Sequence, residues 1–402
     1  CGSAPLVRAF GAQRRFITAA EARCDDANRS IFFLWTTNQW LRVQMSLLGA
    51  LVIGVVVSML LLKVDSLSAG DAGLILQFAT QFISLVQGFF RAKTMLEVTM
   101  NDVERVDDYS SLLPLEAYAG QEPPPEWPRG GEIAFRDVRM AYASASAPAF
   151  DGLSFVVPPA TRVGVVGRTG AGKSSLAVAL LRVVEISSGA ITIDGLDTRD
   201  LALPALRRRV ALVAQEPTLL RGSLRYNIWP LATDGEPRPS DEAMLRALSH
   251  AGLDAKVASL PGGLDAPLSE GGANLSAGER QLLCMARALV RNWQAPSPES
   301  CILLMDEATA SVDAASDARI QSMVRSCFGA STVLTIAHRL HTVAFYDRVL
   351  VLDKGKKVEF DAPLALLEKD DGAFRKLADG SGDLQGLIRI AKSATPEAAR
   401  TR

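Results

Sequence analysis

The sequence predicts an α/β domain preceded by an all-α transmembrane helical hairpin. Three observations carry this: two long uncharged stretches near the amino terminus, a proline-rich connector, and beyond it short β-rich segments alternating with amphipathic helical ones. At roughly 100 to 200 residues per domain, 402 residues suffice for more than one domain and a sizeable core. Hydrophobic residues make up 48% of the chain and the mean hydropathy is +0.16, so an apolar excess must be concentrated somewhere, and a membrane span is the place to look. The 43 Lys+Arg and 44 Asp+Glu leave a net charge of -1, which excludes both a global basic field for nucleic acid and the acidic excess of a disordered chain. Five cysteines, Cys1, Cys24, Cys284, Cys301 and Cys327, show no CxxC pair and no metal-type clustering, and suit a reducing cytosolic setting. The chain opens Cys1-Gly2-Ser3, without methionine or signal peptide, so the expectation is an internal piece of a longer polypeptide.

Residues 43–62 are 20 consecutive residues without a charge. At about 1.5 Å per helical residue they reach roughly 30 Å, the thickness of a bilayer's hydrocarbon core. A short polar turn, 63–71, leads to a second uncharged stretch, 72–90, which completes the hairpin. In that second span Gln77, Thr80, Gln81 and Ser84 recur at i, i+3, i+4 and i+7 and share one helix face. Such a stripe either hydrogen-bonds to neighbouring helices or lines a substrate path, because polar groups at membrane depth face protein or water. Arg8, Arg14, Arg15, Arg23, Arg29 and Arg42 precede the hairpin and Arg91 and Lys93 follow it, against a single Lys63 in the turn, which puts both ends in the cytoplasm. Trp35 and Trp40 sit where interfacial aromatics are expected, and would serve equally as packing residues of a cytoplasmic helix extension. A charged helical stretch, 97–109, then runs into the semi-rigid connector 121–131. The α/β pattern fills 132 to about 379, and the closing residues read as a polar, frayed tail.

The chemistry-bearing motifs lie in the α/β part. A strand at 162–166 feeds Gly167-Arg168-Thr169-Gly170-Ala171-Gly172-Lys173-Ser174-Ser175, a match to the P-loop pattern, with a helix at 176–182 behind it. In such a loop backbone N–H groups cradle phosphates, Lys173 reaches the β and γ oxygens, and the Ser174 hydroxyl binds Mg²⁺. By itself the motif specifies nucleotide binding. The apolar run 301–305 reads as a buried parallel strand and ends in Asp306-Glu307, 133 residues past the P-loop lysine. Adjacent carboxylates in that place suggest Asp306 on the Mg²⁺ shell and Glu307 as the general base that orients the attacking water. A third apolar strand, 332–336, delivers His338, which can contact a γ-phosphate. The run Arg207-Arg208-Arg209 reads as a solvated helix end.

Leu275-Ser276-Ala277-Gly278-Glu279-Arg280-Gln281, lying between the P-loop and the Asp306-Glu307 strand, resembles the signature motif of ATP-binding cassette (ABC) proteins. The other family elements have matches: Tyr142 for the aromatic that stacks on adenine, Gln215 for the glutamine that links nucleotide to the membrane domain, Ser311-Val312-Asp313 for the D-loop, and His338 for the switch histidine. Pro125-Glu126-Trp127-Pro128, the P-loop wording, the form of the signature and Leu6-Val7-Arg8-Ala9-Phe10-Gly11 resemble the C subfamily, the multidrug-resistance-associated proteins. The resemblance covers nearly the whole chain and implies the end of such a transporter. On it, residues 1–107 are the end of a membrane domain, with a cytoplasmic helical extension 1–40, helices at about 43–62 and 72–90, and a second extension 91–107. Residues 108–130 are a linker, 131–380 an ABC-type nucleotide-binding domain of the α/β P-loop NTPase class, and 381–402 a polar tail.

The resemblance further implies two nucleotide-binding domains that close head to tail. Leu275, Ser276 and Gly278, with Asp313, would then act on nucleotide held by the missing first domain, while Glu307, His338 and Gln215 serve catalysis and Ser174, Gln215 and Asp306 hold Mg²⁺. It implies ATP and Mg²⁺ as cofactors and membrane lipid, the missing N-terminal half and a small-molecule substrate, organic anions included, as partners. The localisation implied is multi-pass in a plasma or vacuole-type membrane with a cytoplasmic nucleotide-binding domain. The activity implied is ATP-driven export, with an ATP-gated channel or channel-regulatory subunit as the alternative. Three departures stand out: Glu279 replaces the usual signature glutamine, the link 292–299 is longer than usual and reads as a surface loop, and Gln44 stands where members that carry organic anions have an arginine one turn after Trp40, which weakens the carry-over of glutathione-conjugate specificity, with Arg42 the candidate to take that arginine's place.

Overall fold

The computed structural model describes residues 4–113, 115–116, 118–143, 145, 147–230, 238–294, 302–306, 308, 312–337 and 339–394. Glu307 and His338, as well as Ser311 of the D-loop and most of the long link at 292–299, lie outside these. The chain separates into two compact units, residues 1–115 and 116–402.

The first unit is helical: α1 (Ala4–Ala9), α2 (Gln13–Leu62) and α3 (Ala69–Ser111). The first uncharged stretch is thus the C-terminal part of a longer helix and the second lies near the start of one, and α2 and α3 are both long and apolar enough to cross a membrane. α3 starts where Ser68 accepts the Asp71 amide, a side-chain cap. The helices pack along a seam of half-buried residues at four- and three-residue spacing, and Gly49 of α2 lets Ile83 of α3 approach so closely that a Cβ would lie 2.8 Å from it. Large apolar side chains elsewhere, such as Leu47, Leu62 and Phe78, are exposed at 61%, 86% and 64%, as suits a lipid or protein neighbour rather than water. Gln77, Thr80, Gln81 and Ser84 are exposed and stand about 100° round the helix from the seam residues Leu76, Ala79 and Ile83. Thr80 donates to the Leu76 and Gln77 carbonyls and Ser84 to that of Thr80, so these hydroxyls are satisfied on their own helix and the stripe does not face α2.

The second unit begins with β1 (Ile133–Met140), β2 (Phe150–Val157), β3 (Arg162–Gly167), α4 (Lys173–Leu180), β4 (Ser188–Ile193), β5 (Leu196–Asp197), α5 (Leu203–Arg209) and β6 (Val210–Val213). A helical segment follows: the short ladder β7 (Gly222–Ser223), α6 (Leu224–Ile228), α7 (Asp241–His250), α8 (Asp254–Ser259), β8 (Pro267–Leu268) and α9 (Ala277–Trp293). The chain then returns through β9 (Ile302–Asp306), α10 (Ala314–Cys327), β10 (Thr332–Ile336), α11 (Leu340–Val343), β11 (Arg348–Asp353), β12 (Lys356–Asp361), α12 (Pro363–Leu367), α13 (Ala373–Gly380) and α14 (Leu384–Ala394). The main sheet runs β12-β11-β3-β10-β9-β6, parallel except for β12, and an antiparallel sheet runs β2-β1-β4-β5. β9 is apolar and buried up to Asp306, and every residue of β10, Thr332 and Thr335 included, is buried, because both faces of a parallel sheet are covered. One core fills the space between the two sheets around Phe135, Phe155, Leu176 and Leu304, and another packs α9 with α6, α7 and α10.

Three segments fold differently from what their composition suggests. In place of the expected linker 108–130, residues 108–111 finish α3 and 116–130 belong to the cassette unit: Trp127 is 4% exposed and donates from Nε1 to the Ile193 carbonyl at 3.1 Å. Asp194 secures the end of this segment, its carboxylate accepting from the amides of Arg129, Gly130, Gly131 and Glu132 at 2.7 to 3.1 Å. The arginine run is not a solvated end: Arg207 pairs bidentately with Glu116 and donates to the Leu181 and Arg182 carbonyls, and Arg209 donates to that of Pro125. Residues 384–394 of the supposed tail form α14, whose Leu387 and Ala391, four apart on one face, are buried.

Candidate nucleotide site

The parallel strands end at one edge. Ile336 of β10 pairs with Asp306 of β9 and with Val165 of β3, and Val213 of β6 pairs with Met305. The loops that leave these four strands therefore emerge together, where ligands meet open α/β sheets. β3 delivers the glycine loop 167–172, β9 delivers Asp306, β6 leads to Gln215, and β10 ends at Ile336 beside them.

The loop turns into α4 through Gly172, whose φ of 96° is left-handed and whose Cβ, if present, would lie 2.8 Å from the Ala149 carbonyl oxygen. This is why the helix starts at Lys173 and not, as the sequence suggests, at residue 176. Leu176 and Leu180 bury α4 in the core between the sheets, so the N-terminal amides of the helix are fixed behind the loop. Lys173 is 6% exposed and donates from Nζ to the carbonyls of Gly167 at 3.0 Å and Arg168 at 3.1 Å, which holds its ammonium over the loop. Ser174 Oγ lies 3.4 Å from Asp306 Oδ1. Ser175 Oγ accepts the Tyr142 hydroxyl at 3.0 Å, bringing that aromatic, half-buried beside the core, to the back of the loop.

These residues fit a nucleoside triphosphate with Mg²⁺. A left-handed glycine keeps side-chain bulk off the loop, and Ser174 and Asp306 are hard oxygen donors at hydrogen-bond separation. No cluster of three or more His, Cys, Asp or Glu exists among the described residues, and Mg²⁺ commonly needs only one or two carboxylates when phosphates complete its shell.

The signature residues form a second group. Ser276 caps α9: its Oγ accepts the Glu279 amide at 3.1 Å, while Glu279 Oε2 accepts the Ser276 amide at 2.7 Å, a reciprocal capping box. A glutamine would make the same cap; what the carboxylate adds is the ion pair with Lys256 Nζ, 3.3 Å from Glu279 Oε2. Burial pushes the Glu279 carboxyl up, but the Ser276 amide and Lys256 outweigh it and hold the group below the usual glutamate range. Leu275 is buried under the cap, and Gly278 packs against the start of α10, where a Cβ would stand 2.4 Å from Ser316 Oγ and 2.9 Å from Asp313 Oδ1. Asp313 caps α10, accepting the Ala315 and Ser316 amides and the Ser316 hydroxyl, which keeps its carboxyl below the ordinary aspartate range.

The structure therefore brings Tyr142, Ser175, Lys173, Ser174 and Asp306 together, and separately Leu275, Ser276, Gly278 and Asp313. Sequence reasoning missed Lys256, Ser316 and Gln281. Gln281 is buried and donates to the Ala214 carbonyl at 3.1 Å, tying α9 to the segment that carries Gln215. Its place inside the signature motif was the available signal.

The family model described as ABC transporter matches residues 150–310. The ATP-dependent bile acid permease of Saccharomyces cerevisiae is 37% identical over 413 residues, covering 97% of this chain and 24% of the relative. ATP-binding cassette sub-family C member 2 of Mus musculus is 38% identical over 379 residues, covering 94% and 24%. The chain thus spans about a quarter of the length of the curated relatives it matches. A solved structure, a bacterial Atm1-family ABC exporter with ATP bound, superposes with a TM-score of 0.76 at 29% identity, covering 94% of this chain and 65% of that one. Because the similarity runs through the long helices as well as the cassette, the chain belongs to the ABC transporters, among those of the multidrug-resistance-associated C subfamily.

Proposed function

We propose that this chain is part of a longer ABC transporter that uses ATP hydrolysis to export organic solutes across a membrane, with α2 and α3 in the bilayer and the cassette in the cytoplasm. The observation that carries the reading is the Ser174–Asp306 approach beside the glycine loop and Lys173, at the edge where four parallel strands end. Lys173 and the loop amides bind the phosphates of ATP, and Tyr142 supports the adenine. Ser174, Asp306 and Gln215 hold Mg²⁺, which when bound neutralises charge on the phosphate oxygens. Glu307 takes the proton of the attacking water, and His338 contacts the γ-phosphate.

Leu275, Ser276 and Gly278, together with Asp313, meet the nucleotide of the first cassette, so each ATP is closed between two domains. ATP-driven closure biases the membrane helices toward one access state and hydrolysis releases them. The bile acid permease among the relatives is named for an organic anion, which supports that class of substrate. The exposed stripe Gln77, Thr80, Gln81 and Ser84 is a polar surface available to line the path.

The test is Glu307→Gln in the full-length protein. Loss of a general base predicts a fall in ATP turnover of about 10²-fold or more, with ATP binding retained. Normal steady-state hydrolysis in the variant would remove Glu307 from that role.

A further inference from the structure

We propose that Lys256 is a positioning residue for the signature segment, gripping it through Asn274 and Glu279 and cancelling the carboxylate that this chain carries in the first turn of α9. The inference rests on the reading of Ser276 and Gly278 as the groups that meet nucleotide on another cassette. From α8, Lys256 Nζ lies 3.3 Å from Glu279 Oε2 and donates to the Asn274 carbonyl at 3.3 Å. One ammonium therefore holds both sides of Leu275-Ser276, the carbonyl before and the carboxylate after. Asn274 is fixed in turn, its Oδ1 accepting the Ser269 amide at 3.2 Å. The same Glu279 oxygen accepts the Ser276 amide, so the cap and the ion pair share an atom.

The charge on Lys256 bears on nucleotide binding. An α-helix N-terminus attracts anions, and in α9 a resident carboxylate already occupies that field. An arriving triphosphate meets like charge unless the carboxylate is neutralised nearby. Lys256 supplies that charge from a partly shielded place: its side chain and that of Glu279 are 29% and 28% exposed. Its aliphatic stem lines a small apolar recess with Leu224, Leu275 and Leu283, so methionine can fill the same space without the charge.

ATP hydrolysis against ATP concentration in the reconstituted full-length protein tests this, with Lys256→Met, Lys256→Arg and the double variant Lys256→Met/Glu279→Gln. Lys256→Met is expected to raise KM for ATP about five-fold with kcat changed less than about two-fold, the scale of a partly screened ion pair. Lys256→Arg stays within about two-fold of the parent, and the double variant returns to within about two-fold because no carboxylate is left to cancel. An unchanged KM in Lys256→Met overturns the proposal. So does equal impairment of the single and double variants, or a lowered thermal midpoint that accompanies loss of kcat in both, since these point to packing. A parent that hydrolyses no ATP overturns the functional reading and this inference with it, whereas normal parental hydrolysis with additive variants overturns this inference alone.

Discussion

Gly278→Ala probes the joint between the signature helix and the loop that ends at Asp313. A Cβ at this buried position would stand 2.4 Å from Ser316 Oγ, 2.9 Å from Asp313 Oδ1 and 3.1 Å from Ser316 Cβ, whereas ordinary contact begins at 3.4 Å. Ser316 therefore has to retreat by roughly 1 Å, and its hydroxyl now lies 2.7 Å from the Asp313 carboxylate, so the retreat breaks that bond and disturbs the α10 cap. Overpacking of this kind costs about 1–3 kcal/mol. For a domain of this size that lowers the thermal midpoint by roughly 2–10 °C. A displacement near 1 Å in a positioning element can cost up to about 10²-fold in rate, so ATP turnover of the full-length protein is expected to fall by at least about ten-fold. Ser316→Gly removes the two closest Ser316 atoms and leaves only the Asp313 oxygen, so the double variant recovers part of both losses. Parental turnover and midpoint in Gly278→Ala, or no recovery on adding Ser316→Gly, would refute the joint.

Two other outcomes are expected. Arg162 and Asp347 join the starts of β3 and β11, Arg162 donating from its amide, Nε and Nη2 at 2.8 to 3.0 Å; burial pushes the Asp347 carboxyl up, but Arg162 outweighs it and holds the group below the usual aspartate range. A depressed carboxyl stabilises the fold above its unfolded pKa near 4 and loses that contribution as pH falls through the folded value, so Asp347→Asn should cost about 1 kcal/mol at neutral pH after solvent screening. The gap in unfolding midpoint between parent and variant should close below about pH 4, and a gap that stays constant would dissociate the pair from the acid limb. Trp127→Ala should destabilise the cassette by about 3–5 kcal/mol, and Trp127→Phe, which gives up chiefly the Nε1 bond, by about 1 kcal/mol; equal midpoints for Trp127→Ala and parent would mean that the proline-rich segment does not dock.

What was legible in the sequence is what periodicity and fixed spacing encode. The uncharged stretches, the glycine loop between a strand and a helix, and the apolar strand before Asp306 each report a local physical demand, and α2, α3, β3, β9 and β10 answer it. What was not legible depends on pairs distant in sequence. Nothing near Glu279 announces Lys256, because α8 and α9 meet only after the helical segment folds. Gly278 could be read as a signature residue, but its fit against Ser316 needs the placement of α10. The proline-rich segment reads as a semi-rigid connector because composition does not show that Asp194 collects its amides. α14 carries its signal in spacing rather than composition: Leu384, Leu387, Ile388 and Ala391 recur at i, i+3, i+4 and i+7, and Leu387 and Ala391 are buried with Leu384 and Ile388 packed beside them.

ATP-dependent accumulation of a radiolabelled bile acid in sealed inside-out vesicles, with the full-length protein compared to Lys173→Ala, tests the central claim most directly. The account predicts saturable uptake against a gradient that requires hydrolysable ATP and is lost in Lys173→Ala. Uptake equal in the two proteins, or ATP-gated unitary currents in place of accumulation, would contradict it.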